Sequence, residues 1–241
     1  MSASQATKKH LAEGYKPSTR IVEMIAVMVF FVAEAFLLSR VVMDLVPHPL
    51  IVLPAFLLGY LGADFVSGFV HWFGDTWGTP ETPFIGATFI RPFREHHVDQ
   101  TAITRHDFFQ TNGSNCLASA AVLLPTIFIL LALPRTELVI FLLSFILALT
   151  LSVFGTNQFH KWAHQTHPPR FVAWLQEKRL VLSSSHHAIH HTYPHDRYYC
   201  ITVGWLNPWL ERIRFFPRLE RLITHYTGAI PRQDDMTLVN E

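Results

Sequence analysis

The sequence predicts an all-α integral membrane protein, four transmembrane helices carrying a helical, histidine-rich cap. Three observations predict it. Half of the 241 residues are hydrophobic and only 15% are charged, and the apolar residues fall into four long blocks. Nearly all Lys and Arg lie on one side of those blocks. The histidines gather there too, at helical spacing.

The first block, 21–38, is interrupted only by Glu23 and Glu34, and the second, 49–70, only by Asp64. The third, 117–133, and the fourth, 138–154, carry no charge. Each has about the 17–25 residues a membrane helix needs, and a backbone in lipid must satisfy its own hydrogen bonds, so helix is the reading. The first block is too apolar for too long to be a secretory signal, and no small-residue cleavage site follows it. Asp64, Ser67, His71 and Asp75 recur at helical spacing, which extends the second helix beyond the membrane with His71 facing inward. The fourth extends likewise from Phe154 into His160–His164. Short turns are expected at 39–48 and 134–137, and Thr111-Asn112-Gly113-Ser114-Asn115 reads as a turn leading into the third span. Residues 17–231 make one domain, with mobile tails at 1–16 and 232–241. Two cysteines, Cys116 and Cys200, make no disulfide framework.

Four spans put the chain ends, the 71–115 segment and everything after 154 on one side. Of 19 Lys and Arg, only Arg40 and Arg135 fall in the short turns, so the side with the other 17 is cytoplasmic. Every histidine except His48 is there as well. The net charge of +1 and the lack of a basic run argue against a nucleic-acid partner. Among intramembrane acids, Glu34 reads as reaching the far interface, and Asp64, two turns from His71, as orienting that imidazole.

On a helix, residues three and four apart share a face. His160 and His164 form an HxxxH box, and His187, His190 and His191 an HxxHH box. His96, His97 and His71 add three more candidate ligands. His187 stands four residues before His191, which favours it over His186. Imidazole suits Zn, Cu, Fe and Ni, while a single zinc takes four ligands, so eight histidines argue for a di-metal cap. His106, His186, His195 and Asp75 are further candidates as ligands or as their hydrogen-bond partners, alongside Asp64. The Glu-x-x-His pattern of soluble di-iron bundles is missing, and the spans lack the polar residues of a metal transporter. A histidine-rich pair of metals above four membrane helices points to oxygen chemistry on a membrane lipid, with a non-catalytic metal-binding membrane protein as the alternative. Arg91, Arg94, Arg105 and Arg212 are candidates for contact with a lipid headgroup.

Phe65-Val66-Ser67-Gly68-Phe69-Val70-His71-Trp72 with Asp75-Thr76-Trp77-Gly78, the run Phe89–His97, Ala102–Phe108, Thr156–His164, the 186–191 box, Tyr199–Asn207 and Pro231–Met236 follow one another in order. Together these stretches resemble the plasmanylethanolamine desaturase (Kua) family. The resemblance implies desaturation of the ether-linked alkyl chain of a plasmanyl phospholipid to a vinyl ether. It implies two iron ions, O2 as co-substrate, and an external electron donor such as cytochrome b5 with its reductase or a ferredoxin. Its histidine boxes map onto 160–164 and 187–191, and its remaining ligands onto His71, His96 and His97. The membrane expected is the endoplasmic reticulum if the source is eukaryotic and the inner membrane if it is bacterial. A plant plastid branch that desaturates an acyl chain of phosphatidylglycerol is the runner-up.

Overall fold

The computed structural model describes residues 17–232 apart from residue 84, so the 1–16 segment and residues from 233 onward lie outside the described residues. Every regular element among the described residues is helical. Four long helices run through the four apolar blocks: α1 (Pro17–Leu45), α2 (Pro49–Thr76), α5 (Phe108–Leu131) and α6 (Glu137–Ala163). Short ones make the cap: α3 (Arg91–Val98), α4 (Ala102–Arg105), α7 (Arg170–Glu177), α8 (Ser184–His190), α9 (Asn207–Arg212) and α10 (Phe215–Thr227). A π-helical turn, Gly86–Ile90, leads into α3.

The four long helices are each apolar and long enough to cross a membrane, yet only 33% to 44% of their most apolar windows is buried within the protein. A bundle with that much outward apolar surface is built for lipid, not water. The inward stripe holds Phe30, Leu37, Val52, Leu123, Leu143 and Leu147. α2 packs along α6, and α1 along α5. Gly59 makes the α2–α6 approach possible: a Cβ there would stand 2.6 Å from the Phe145 carbonyl oxygen and 2.7 Å from Ala148 Cβ. Small residues serve membrane helix contacts in this way. At one end Asp44 pairs with Arg135, and at the other Arg20 donates to Asp107 at 2.6 Å.

Three expectations are corrected. The Thr111–Asn115 turn is helix, because α5 already begins at Phe108, capped by the Asp107 carboxylate accepting from Gln110 N at 3.0 Å. Its turn-forming side chains find helical partners instead: Thr111 donates to the Asp107 carbonyl, Asn112 to the Phe108 carbonyl, and Asn115 across to Val153. The turn expected at 39–48 shrinks to the three residues 46–48, since α1 runs on to Leu45. Glu34 does not reach an interface; it is buried between helices and accepts from the Thr150 hydroxyl.

Replacing Gly59 by Val should force α2 and α6 apart and cost about 1–3 kcal/mol as an overpacked contact. The check is the thermal unfolding midpoint in detergent; an unchanged midpoint would mean the two helices do not meet at this position.

Candidate metal centre

Four helices deliver the histidines. The last turns of α2 carry His71 and Asp75 one above the other, at i and i+4. α6 ends with His160 and its C-cap His164 in the same relation. Ser183 caps α8, accepting from His186 N at 3.3 Å, and so starts the turn that aligns His187 with His191. Pro92 sits in the first turn of α3, where its missing N–H costs nothing, and His96 and His97 follow in the last.

These side chains form two adjoining groups. His96, His160, His164, His187 and His191 make one; His71, Asp75, His97 and His190 make the other. All eight histidines expected from the sequence are brought together, and Asp75 joins them directly.

The first group centres on His160. Its Nε2 lies 2.8 Å from His187 Nε2, 3.0 Å from His96 Nε2 and 3.2 Å from His164 Nε2. His191 Nε2 is 2.8 Å from His96 Nε2 and 2.9 Å from His187 Nε2. A neutral imidazole carries one N–H, so no assignment of protons makes hydrogen bonds of all these contacts. Nitrogens bound to one metal at about 2.0–2.1 Å stand about 3 Å apart, which is the spacing found. In the second group, Asp75 Oδ2 is 3.3 Å from His71 Nε2 and 3.5 Å from both His97 Nε2 and His190 Nε2. His71 Nε2 and both Asp75 oxygens are buried without hydrogen-bond geometry to any neighbour. A donor set of this kind fits metal ions.

The remaining ring nitrogens fix the orientation. His71 Nδ1 faces the Tyr199 carbonyl at 3.1 Å, and His190 Nδ1 the Arg197 carbonyl at 2.9 Å. An Nδ1–H donated to each carbonyl leaves the Nε2 lone pair facing the centre. Burial, reinforced by neighbouring histidines, holds the imidazoles of His96, His187 and His190 well below their usual range. By burial first, His191 is pushed down to about 2 and His164 to about 4. All are therefore neutral at pH 7, the form that donates a lone pair.

The other candidates fall outside the two groups. His195 stacks on His97 with ring centroids 4.8 Å apart. His186 Nε2 lies 3.0 Å from Asn207 Nδ2 and joins neither group. Lys161 donates to the His106 backbone carbonyl, and burial together with Lys161, Arg91 and Arg105 lowers the His106 ring to about 4. Arg91 and Arg105 flank one cavity beside α3, whereas Arg212 is exposed on α9; the side chain of Arg94 lies outside the described residues. Asp64 corrects the expectation most. It does not touch His71. Its carboxylate accepts from Val203 N at 2.9 Å, Gly204 N at 2.8 Å and Leu206 N at 3.1 Å. Ser67 accepts from Ile201 N at 3.0 Å, and Gly68 leaves room for Cys200, whose Sγ would stand 2.4 Å from a Cβ. These contacts stitch residues 199–206 to α2 and so set the Tyr199 carbonyl that holds His71. Arg232 also closes on the site, its N donating to the Thr76 carbonyl at 2.8 Å.

The family profile of the lipid desaturase domain matches residues 60–234. The chain is 52% identical over 94% of its length to plasmanylethanolamine desaturase of Myxococcus xanthus, covering 79% of that protein. It is 44% identical over 97% of its length to plasmanylethanolamine desaturase 1 of Mus musculus, covering 88% of it. Fatty acid desaturase 4, chloroplastic, of Arabidopsis thaliana is 36% identical over 72% of the chain, which covers 52% of that protein. No solved structure matches.

Replacing Asp64 by Ala strands the buried amide N–H groups of Val203 and Gly204, at about 1–3 kcal/mol each, and the half-buried one of Leu206. The unfolding midpoint should fall by more than for any single exposed cap residue. Wild-type stability in Asp64→Ala would remove this carboxylate from the scaffold.

Proposed function

The chain belongs to the lipid desaturase family, and from that premise we propose that it is a plasmanylethanolamine desaturase, introducing the 1′,2′ double bond beside the ether oxygen of a plasmanyl phospholipid. The observation that carries this reading is the convergence of eight histidines and Asp75 into two adjoining groups at the mouth of a bundle of membrane-length helices.

Each group would hold one iron, the first through His96, His160, His164, His187 and His191, the second through His71, Asp75, His97 and His190. Imidazole-rich sets suit iron, and five imidazoles exceed the four ligands of a closed zinc site. When bound, the iron pair supplies the oxidising power of O2, which takes two electrons and two protons from the alkyl chain and two of each from outside, leaving as two waters. The outside electrons would come from a donor such as cytochrome b5 with its reductase, or a ferredoxin.

The protein's own part is positional. Carbonyls of Tyr199 and Arg197 keep two imidazoles turned inward. Phe93 covers the His71 ring at 5.3 Å between centroids, and Tyr199 covers His190 at 5.4 Å, so aromatic walls exclude water from the second group. A desaturase must hold two adjacent methylenes at the oxidant, and small misplacement is costly. The ether linkage lies next to the headgroup, which suits a site at the membrane lip. The Lys and Arg distribution supports a cytoplasmic site, in the endoplasmic reticulum or a bacterial inner membrane according to the host. The plant-type acyl-lipid reading has less behind it, since that relative matches less of the chain at lower identity.

Iron-loaded protein supplied with reductant, O2 and a plasmanyl lipid should yield acid-labile vinyl ethers by lipid mass spectrometry. Unchanged lipid would sink the assignment, and a new acyl double bond would move it to the plant-type branch. His187→Ala and His97→Ala, one from each group, should each abolish turnover and lower iron from about two to about one per chain. Retained turnover in both would remove the ligand assignment.

A further inference from the structure

A cavity of about 150 Å3 opens beside the histidines, lined by Arg91, Glu95, Ala102, Arg105, His106 and Gln110. It adjoins the candidate metal centre closely: Glu95 immediately precedes His96, and Lys161, next to His160, donates to the His106 carbonyl. Its height follows from helix geometry. Gln110 is 21 residues from Leu131 at the far end of α5, which at 1.5 Å per residue is about 31 Å. His160 is 23 residues from Glu137 at the same end of α6, about 34 Å. The hydrocarbon core is about 30 Å thick. Cavity and histidines therefore share the headgroup plane of one leaflet.

The lining has a particular charge pattern. Two guanidinium groups and one carboxylate face a small space, with Arg91 Nη1 3.2 Å from Glu95 Oε2 and both side chains only 12% exposed. Arg105 is anchored from behind by Asp99, at 2.7 Å. A purely anionic ligand would gain from the arginines but would face Glu95. A purely cationic one would meet the reverse. A zwitterion with a phosphate at one end and an ammonium at the other satisfies all three groups, exchanging the internal Arg91–Glu95 pair for two pairs to the ligand. At about 150 Å3 the cavity is smaller than a site for a drug-sized ligand, which leaves room for a headgroup and not for a lipid chain.

We propose that this cavity is the headgroup subsite of the enzyme, with Arg91 and Arg105 holding the lipid phosphate and Glu95 accepting N–H bonds from the primary ammonium of phosphoethanolamine. The proposal rests on the plasmanylethanolamine desaturase reading and adds the residues that recognise the headgroup. It predicts a headgroup preference. A trimethylammonium group has no N–H to give, so a choline headgroup leaves the Glu95 carboxylate without a donor.

The test compares plasmanylethanolamine with plasmanylcholine in the iron-loaded enzyme and its Glu95→Gln and Arg105→Gln variants, with iron content measured for each. Wild type should favour the ethanolamine lipid in kcat/KM. Glu95→Gln should shrink that preference about tenfold or more. Arg105→Gln should raise KM for both lipids about tenfold with kcat within about twofold. An unchanged preference in Glu95→Gln, or an unchanged KM in Arg105→Gln, overturns the subsite. Since Glu95 neighbours His96, a readout independent of turnover accompanies these: the unfolding midpoint of the same holoproteins with glycerophosphoethanolamine, glycerophosphocholine or inorganic phosphate. Glycerophosphoethanolamine should raise the wild-type midpoint most, and less in both variants. An equal rise with inorganic phosphate would make the cavity a plain anion site and overturn the proposal. Absence of vinyl ether from every lipid would defeat the enzymatic reading, whereas vinyl ether formed indifferently to these variants defeats the subsite alone.

Discussion

Lone pairs repel, and nine side chains here aim theirs at two points. His160 Nε2 has three ring nitrogens within 3.2 Å, more than its single proton could reconcile. Such crowding is unfavourable unless a cation sits among the nitrogens, and protonation is blocked because burial favours the neutral rings. The scaffold must therefore impose the arrangement. It does so with helices, which hold ligand geometry better than loops, and with backbone carbonyls that take up the outward Nδ1–H groups. Much of the rest of the molecule serves this one demand, including the Asp64 carboxylate, buried only to keep the 199–206 segment on α2.

The four apolar helices and the clustering histidines were legible in the sequence because both rest on local periodicity. Uncharged runs such as 138–154 permit little besides a membrane helix. Pairs such as His160 with His164 announce a shared face whatever they face. Continuation of α2 past the membrane to His71 and Asp75 was readable for the same reason.

What escaped the sequence depends on distant partners. Thr111-Asn112-Gly113 looks like a turn because these residue types favour turns. In the folded chain Asn157 reaches the Thr111 carbonyl at 3.0 Å and Gly113 lies against Glu23, so the same residues become helix contacts. Asp64 lies two turns from His71, yet its amide partners are about 140 residues onward, a pairing no local pattern announces. Asp75 was visible as a neighbour of His71, but its place among the donors needed His97 and His190 from two other helices. Arg91 and Arg105 stood out as cations, whereas the space they share with Glu95 exists only once α3, α4 and α5 come together.

Two of the three double-histidine pairs divide between the groups: His96 goes to one and His97 to the other, His191 to one and His190 to the other. Consecutive residues on a helix diverge by about 100°, so each pair works as a rigid yoke whose arms cannot be adjusted separately. Neither pocket can drift in radius or position without dragging its twin. Evolution could thus retune the surrounding walls freely, but a one-residue shift within α3 or α8 would rob both pockets of a donor at a stroke.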